Sequence, residues 1–220
     1  MSKKIMLLAL TAVSAALFAL PAVASAQEIH FESATNQNFT VTGPAGELRA
    51  SGEPTITCES TDGTGAQTSS TTGNLNLDFT GCHINVLGFT VKCRSAGSAL
   101  DNTIATGGTY HLITWKNQAG TAFPAALVTA NTTSVVCAGT TVRVTGDLIG
   151  TITSPKCGAK SKSLSISFTA TGNTQDHILY TGNPFDLKAS TNADHSGEVT
   201  AALVGSATIS APNESTLNCT

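Results

Sequence analysis

Apolar and polar residues alternate along most of this chain. Leu75, Leu77 and Phe79 alternate with Asn74, Asn76, Asp78 and Thr80, and Leu164, Ile166 and Phe168 with Ser163, Ser165 and Ser167. A period of two over four to eight residues marks a strand with one buried face and one wet face. The same parity joins Leu87, Phe89 and Val91 to Cys93, Ile56 to Cys58, and Val135 to Cys137, so these cysteines are expected on inward faces. Gly43-Pro44, Asp62-Gly63, Gly107-Gly108, Gly172-Asn173, Gly182-Asn183-Pro184 and Ser196-Gly197 read as turns between the runs. The polar stretch from Asp62 to Gly73 reads as an exposed loop. About fifteen candidate strands result.

The opening of the chain breaks this pattern. Lys3 and Lys4 precede a largely apolar run from Ile5 to Leu20, then Pro21 and the small residues Ala24-Ser25-Ala26. A basic start, an apolar middle and a small-residue end form a secretory signal. The run of about 16 residues is shorter than the roughly 20 needed to span a bilayer, so cleavage before Gln27 is expected rather than anchoring. The mature chain, 27–220, carries no second long apolar segment and is expected without a transmembrane span. Its destination is the periplasm, the cell envelope or the medium.

Composition supports strands over helices. Only 11% of residues are charged, against about a quarter in ordinary domains, and Thr, Ser, Asn and Gly take their place. Such a chain lacks the Glu, Lys and Arg of amphipathic helices, whereas the branched Thr side chain suits a half-exposed pleated surface. The predicted architecture is an all-β antiparallel sandwich with Thr-, Ser- and Gly-rich loops, one domain over 27–220. A subdivision, if any, falls near 99–108. Loss of the leader removes Lys3 and Lys4, leaving nine basic against 14 acidic residues and a net charge of about −5. That balance disfavours nucleic acid as a partner, since such binding needs a basic surface.

All six cysteines, Cys58, Cys82, Cys93, Cys137, Cys157 and Cys219, lie in the mature segment. An even count in an exported chain predicts three disulfides. A zinc site needs short Cys-x-x-Cys or Cys/His spacings, and the closest pair here, Cys82 and Cys93, is eleven residues apart. Six cysteines allow 15 connectivities. Nearest-neighbour pairing, 58–82, 93–137 and 157–219, is the working expectation.

Several short motifs follow one another along the chain. They are Thr57-Cys58, Phe79-Thr80-Gly81-Cys82, Cys93-Arg94-Ser95-Ala96-Gly97, Val136-Cys137-Ala138-Gly139, the run Val142–Thr153, Phe168-Thr169 and Leu203-Val204-Gly205. This order resembles a large group of exported, Thr-rich, cysteine-punctuated proteins of soil actinobacteria with no known activity. The likeness runs from about Thr55 to Ile209. It implies secretion and β-structure, and it supplies no functional residues. Cys157 and Cys219 fall outside the group's pattern, which implies that they bond to each other.

Candidate chemistry is sparse. No Gly-x-Ser-x-Gly elbow and no His-Glu-x-x-His occurs, and the five histidines are scattered. Asp194-His195-Ser196 holds the residue types of a hydrolase triad, but neighbours in sequence cannot converge on one proton path. An extracellular hydrolase would have to pair His177 or His195 with Asp176 or Asp194 at a cleft. Asn192–Gly197 spaces oxygen ligands like a calcium loop, but its twelfth position is Leu203 where a bidentate Glu is required. A carbohydrate-binding module would stack sugar on Trp115 beside Tyr110 on a flat sheet face. The leading expectation is a non-enzymatic, cofactor-free exported β-protein with a binding or structural role at the cell surface. Exposed strand edges, first of all Glu28–Phe31, would be the place for self-association.

Overall fold

The computed structural model describes residues 29–31, 37–117, 119–177, 179–180, 183–192 and 196–219. The expected leader, Glu28, Asp194 and His195 lie outside the described residues. Among the described residues the fold is all-β, and every strand pairing is antiparallel.

Short strands join end to end into longer staves. β1 (Ile29–Phe31) stands apart from them. β2 (Asn38–Gly43) and β3 (Gly46–Ala50) form the first stave, and β4 (Ile56–Cys58) and β5 (Ser60–Gln67) the second. β6 (Thr72–Thr80) and β7 (His83–Val86) form the third; β8 (Phe89–Ser95) and β9 (Ile104–Lys116) form the fourth. β10 (Ala122–Cys137) and β11 (Thr140–Ser154) are single long staves, and β12 (Lys160–Phe168) begins the seventh. The chain then leaves the sheet for two small hairpins, β13 (Ala170–Thr171) with β14 (Thr174–Gln175) and β15 (Leu179–Tyr180) with β16 (Asn183–Pro184). It returns as β17 (Leu187–Ser190), collinear with β12, and ends with β18 (Val199–Cys219).

Each stave pairs with the next, and the last pairs with the first. β18 bonds to β12 and β17 along one edge and to β2 and β3 along the other. The two facing walls of the antiparallel sandwich therefore belong to one sheet that closes on itself. A closed sheet of about eight strands encloses just enough room for side chains or one small ligand. β1 adds to the far end of β18, with Ile29 opposite Cys219 and Phe31 opposite Leu217.

The alternation does what the pattern predicts on β6 and β12. Leu75, Leu77 and Phe79 turn inward while Asn74, Asn76 and Asp78 are exposed, and Leu164 and Ile166 are buried. A bulge in β10 between Ala130 and Thr133 switches the inward parity, so that Val128 above it and Val135 and Cys137 below it are all buried. Among the described residues no helix is long and apolar enough to cross a membrane. The outward residues of β2 and β6, including Thr40, Thr42, Asn74 and Asn76, are polar, where a lipid-facing strand presents apolar ones.

Three expectations need correction. Asp62–Gly73 is not one loop: Asp62–Gln67 belongs to β5 and Thr72-Gly73 opens β6. Its inward positions include Gly63 and Gly65, and a Cβ at Gly65 would collide with the ring of Phe39 on β2. The neighbour's ring fills the face that the strand itself leaves bare, so no apolar period shows in the sequence. Gly107-Gly108 likewise lies within β9 and is no turn. Finally, Leu87 and Phe89 do not face inward with Cys93. Leu87 (94% exposed) and Gly88 form the tip of the β7–β8 hairpin at φ 51° and 84°, and Phe89 is 74% exposed.

All six cysteines are joined, as 58–82, 93–137 and 157–219. The first two bridges pack together with Ile56, Ile84, Ile104 and Val135 at the lower end of the sheet. There the Cys93 N–H donates to the Cys82 carbonyl at 2.9 Å. The third bridge ties the end of β18 to the β11–β12 connection at the upper end, where the Gly158 N–H donates to the Leu217 carbonyl.

Candidate functional site

The space inside the closed sheet is the site this fold builds. A cavity of about 200 Å³ runs between the inward faces of the staves. Its walls are almost wholly apolar: Phe39, Leu75, Leu77, Val128, Ile166 and Ile209 are representative. Phe39 and Tyr110 meet edge to face, with ring centroids 5.9 Å apart. Leu75, Leu77 and Phe79 point inward yet remain partly accessible, because the lumen is not filled by its own side chains.

Polar groups gather at the upper end of the lumen. Gln37 and Gln67 lie on neighbouring staves, where the Gln67 N–H donates to the Gln37 carbonyl at 2.9 Å. Both side chains are buried, at 8% and 6% exposure, and both line the cavity. Gln37 Nε2 donates to the Asn213 carbonyl at 3.4 Å. Asn213 sits where β18 runs long against β12, since Ser161 faces Ser215 while Ser163 faces Ser210. The surplus residues of β18 include Pro212, which cannot donate to a ladder and belongs in such a bulge. Gln67 is opposite Gly73, and Gly73 is opposite Tyr110, so the three occupy one level of the sheet. A Cβ at Gly73 would collide with the Tyr110 ring, so the glycine gives the phenol its place. Burial pushes the Tyr110 hydroxyl up to about 12. Lys162, exposed, lies at the rim. Glu47 lines the lower end and is engaged by Arg49 at 2.6 Å.

The structure places Tyr110 and Trp115 on opposite faces of β9, so they form no common platform. Tyr110 lines the lumen. Trp115 packs outside with Ile113, Ala125 and Ile149, under the excursion that carries Tyr180 and Phe185. His177, in the same excursion, lies 4.1 Å from the indole, centroid to centroid. Burial lowers the pKa of His177, and the neighbouring Asp176 opposes that shift in part. Asp176 itself accepts from Thr171 Oγ1 at 2.8 Å on the surface; burial raises its pKa, and the hydroxyls of Thr171 and Thr169 with the neighbouring His177 together outweigh it, so the net shift is downward. Asp176 is bonded to Thr171 while the His177 ring lies on Trp115, and the other His–Asp candidates, His195 and Asp194, lie outside the described residues.

The calcium-like segment keeps its ends in a turn: Asn192 Nδ2 donates to the Ser196 carbonyl at 2.8 Å, and Leu203 lies within β18. Among the described residues no three His, Cys, Asp or Glu side chains gather as a metal site. β1 pairs along one side with the end of β18. Sequence reasoning missed Gln37 and Gln67, since isolated glutamines in a Thr-rich chain carry no period and no motif. No family model matches the chain, and no curated protein or solved structure matches it either.

Proposed function

We propose that this is an exported, disulfide-bonded, non-enzymatic protein that acts at or outside the cell surface by holding a small, largely apolar molecule in its lumen. One observation carries the reading: inward apolar side chains at the centre of a closed sheet border about 200 Å³ of space. Protein interiors are normally packed to crystal density, with few voids larger than a water molecule. An apolar cavity of about 150 Å³ suffices to admit benzene. At about 0.8 kcal/mol per buried methylene, a body of five or six such groups gains about 4 to 5 kcal/mol. That corresponds to a Kd of about 1 mM or slightly below for the apolar part alone.

Export is supported by the basic and apolar opening of the chain and by the pairing of all six cysteines, because such bridges persist in oxidising compartments. Saturation-transfer NMR on the oxidised protein with toluene and 1-hexanol tests the lumen. Transfer is expected for the native chain and is expected to weaken in Ala130→Leu, where a larger side chain takes up part of the lumen. No transfer at millimolar probe, or transfer that Ala130→Leu leaves unchanged, refutes the reading.

A further inference from the structure

We infer that the lumen selects an amphipathic ligand whose head is neutral and carries both a hydrogen-bond donor and an acceptor, received by Gln37 and Gln67. The inference rests on the lumen binding proposed above. Two buried polar atoms at the upper end of the cavity, Gln37 Oε1 and Gln67 Nε2, have no hydrogen-bond partner. Leaving such a group unpaired away from water is costly, and unpaired atoms are rare in native proteins. The amide of Gln37 cannot simply be turned over. Its nitrogen already donates to the Asn213 carbonyl, and a carbonyl can only accept, so Oε1 is the atom left without a partner at this end of the lumen.

The two free atoms are complementary, one an acceptor and one a donor, and they project from adjacent staves joined by a backbone hydrogen bond. Just below them the walls turn apolar, with Phe39, Leu75 and Tyr110 closing in. A head that satisfies both atoms must donate to Gln37 Oε1 and accept from Gln67 Nε2. A primary amide or an alcohol does so. A carboxylate has no proton for Gln37 and would set its charge against that carbonyl. An ammonium has no acceptor for Gln67. Lys162 does not rescue a carboxylate, since its side chain is exposed at the rim. The ligand class is therefore a compact apolar body, of the size of one ring or a short chain, ending in a neutral amide or hydroxyl.

The test compares probes that share a body and differ in the head: benzamide, benzyl alcohol, toluene, benzoate and benzylammonium, titrated by NMR into the oxidised protein. Benzamide and benzyl alcohol are expected to bind at least as tightly as toluene, although water solvates them better, and about tenfold more tightly than either ion. The double variant Gln37→Met, Gln67→Met keeps the side-chain length without the amide. It is expected to weaken benzamide by about 30-fold while leaving toluene within about threefold, and the retained toluene binding reports that the variant is folded. If the double variant fails to fold, the two single variants carry the test, each expected to weaken benzamide by about fivefold. Toluene binding with a benzamide affinity that no variant changes overturns the head-group inference and leaves the apolar lumen standing. A preference for benzoate or benzylammonium also overturns it. Failure of every probe to bind the folded protein overturns both this inference and the function proposed above.

Discussion

Removal of the Cys157–Cys219 bridge by Cys157→Ser with Cys219→Ser gives the sharpest stability test. The bridge spans 62 residues of chain. In the chain-entropy account, closing a loop of that length restricts the unfolded state by about 4 kcal/mol. Cys157 is exposed and Cys219 only partly buried against the upper cluster, so little packing is lost and the entropic figure dominates. Against a typical stability of about 5–15 kcal/mol, the variant stays folded but much weaker. The damage has an address. Cys219 ends the segment on which β1 pairs, and the fully buried Ile29 and Leu217 help to seal the upper end of the lumen. Guanidinium denaturation should give a loss of about 3–4 kcal/mol with a raised m-value, because the released unfolded chain exposes more surface. Hydrogen exchange should rise first at Ile29–Phe31 and Leu217–Cys219. Mild reductant followed by alkylation should label Cys157 and Cys219 before Cys82 and Cys93, which are 0% exposed. A loss below about 1 kcal/mol, unchanged exchange in β1, or earlier labelling of Cys82 would refute the reasoning.

Three further outcomes are expected. Leu87→Asn should raise stability by about 0.5–1 kcal/mol in chemical denaturation, because Leu87 holds a positive φ that asparagine adopts more readily and, at 94% exposure, it loses no packing. Tyr110 should ionise near 12 by absorbance while the lumen is intact. Since its folded value is raised, the stability it contributes is present below pH 10 and is lost as pH rises from 10 through about 12. His177 lies on the chain's single tryptophan, and its folded pKa is lowered, so the neutral ring favours the folded state. Stability from this contact is present above about pH 6.5 and is lost as pH falls through the lower folded value. Trp115 emission should therefore change with a midpoint below 6.5, a change that His177→Phe abolishes.

The strand content, the antiparallel class and the inward cysteines were legible from a period of two and from side-chain chemistry. Those signals are local: they follow from alternate residues of a strand facing opposite ways. The pattern failed where a neighbour supplies what the strand lacks. β5 shows no apolar face because Phe39 lies over Gly65, and β9 passes through Gly107-Gly108 without turning. Leu87 carries the right parity but sits at a hairpin tip, since parity alone does not say where a strand ends.

By itself, then, the sequence determined that this chain forms oxidised β-structure with wet outer faces and a leader-like opening. Only the tertiary structure decided that β18 pairs on both edges, which closes the sheet and creates an interior. It also decided that Trp115 and Tyr110 part company and that Gln37 and Gln67 come together at the head of an apolar lumen. Pairing between residues 30 or 170 positions apart is set by the register of whole staves, and no single stretch of sequence contains that information.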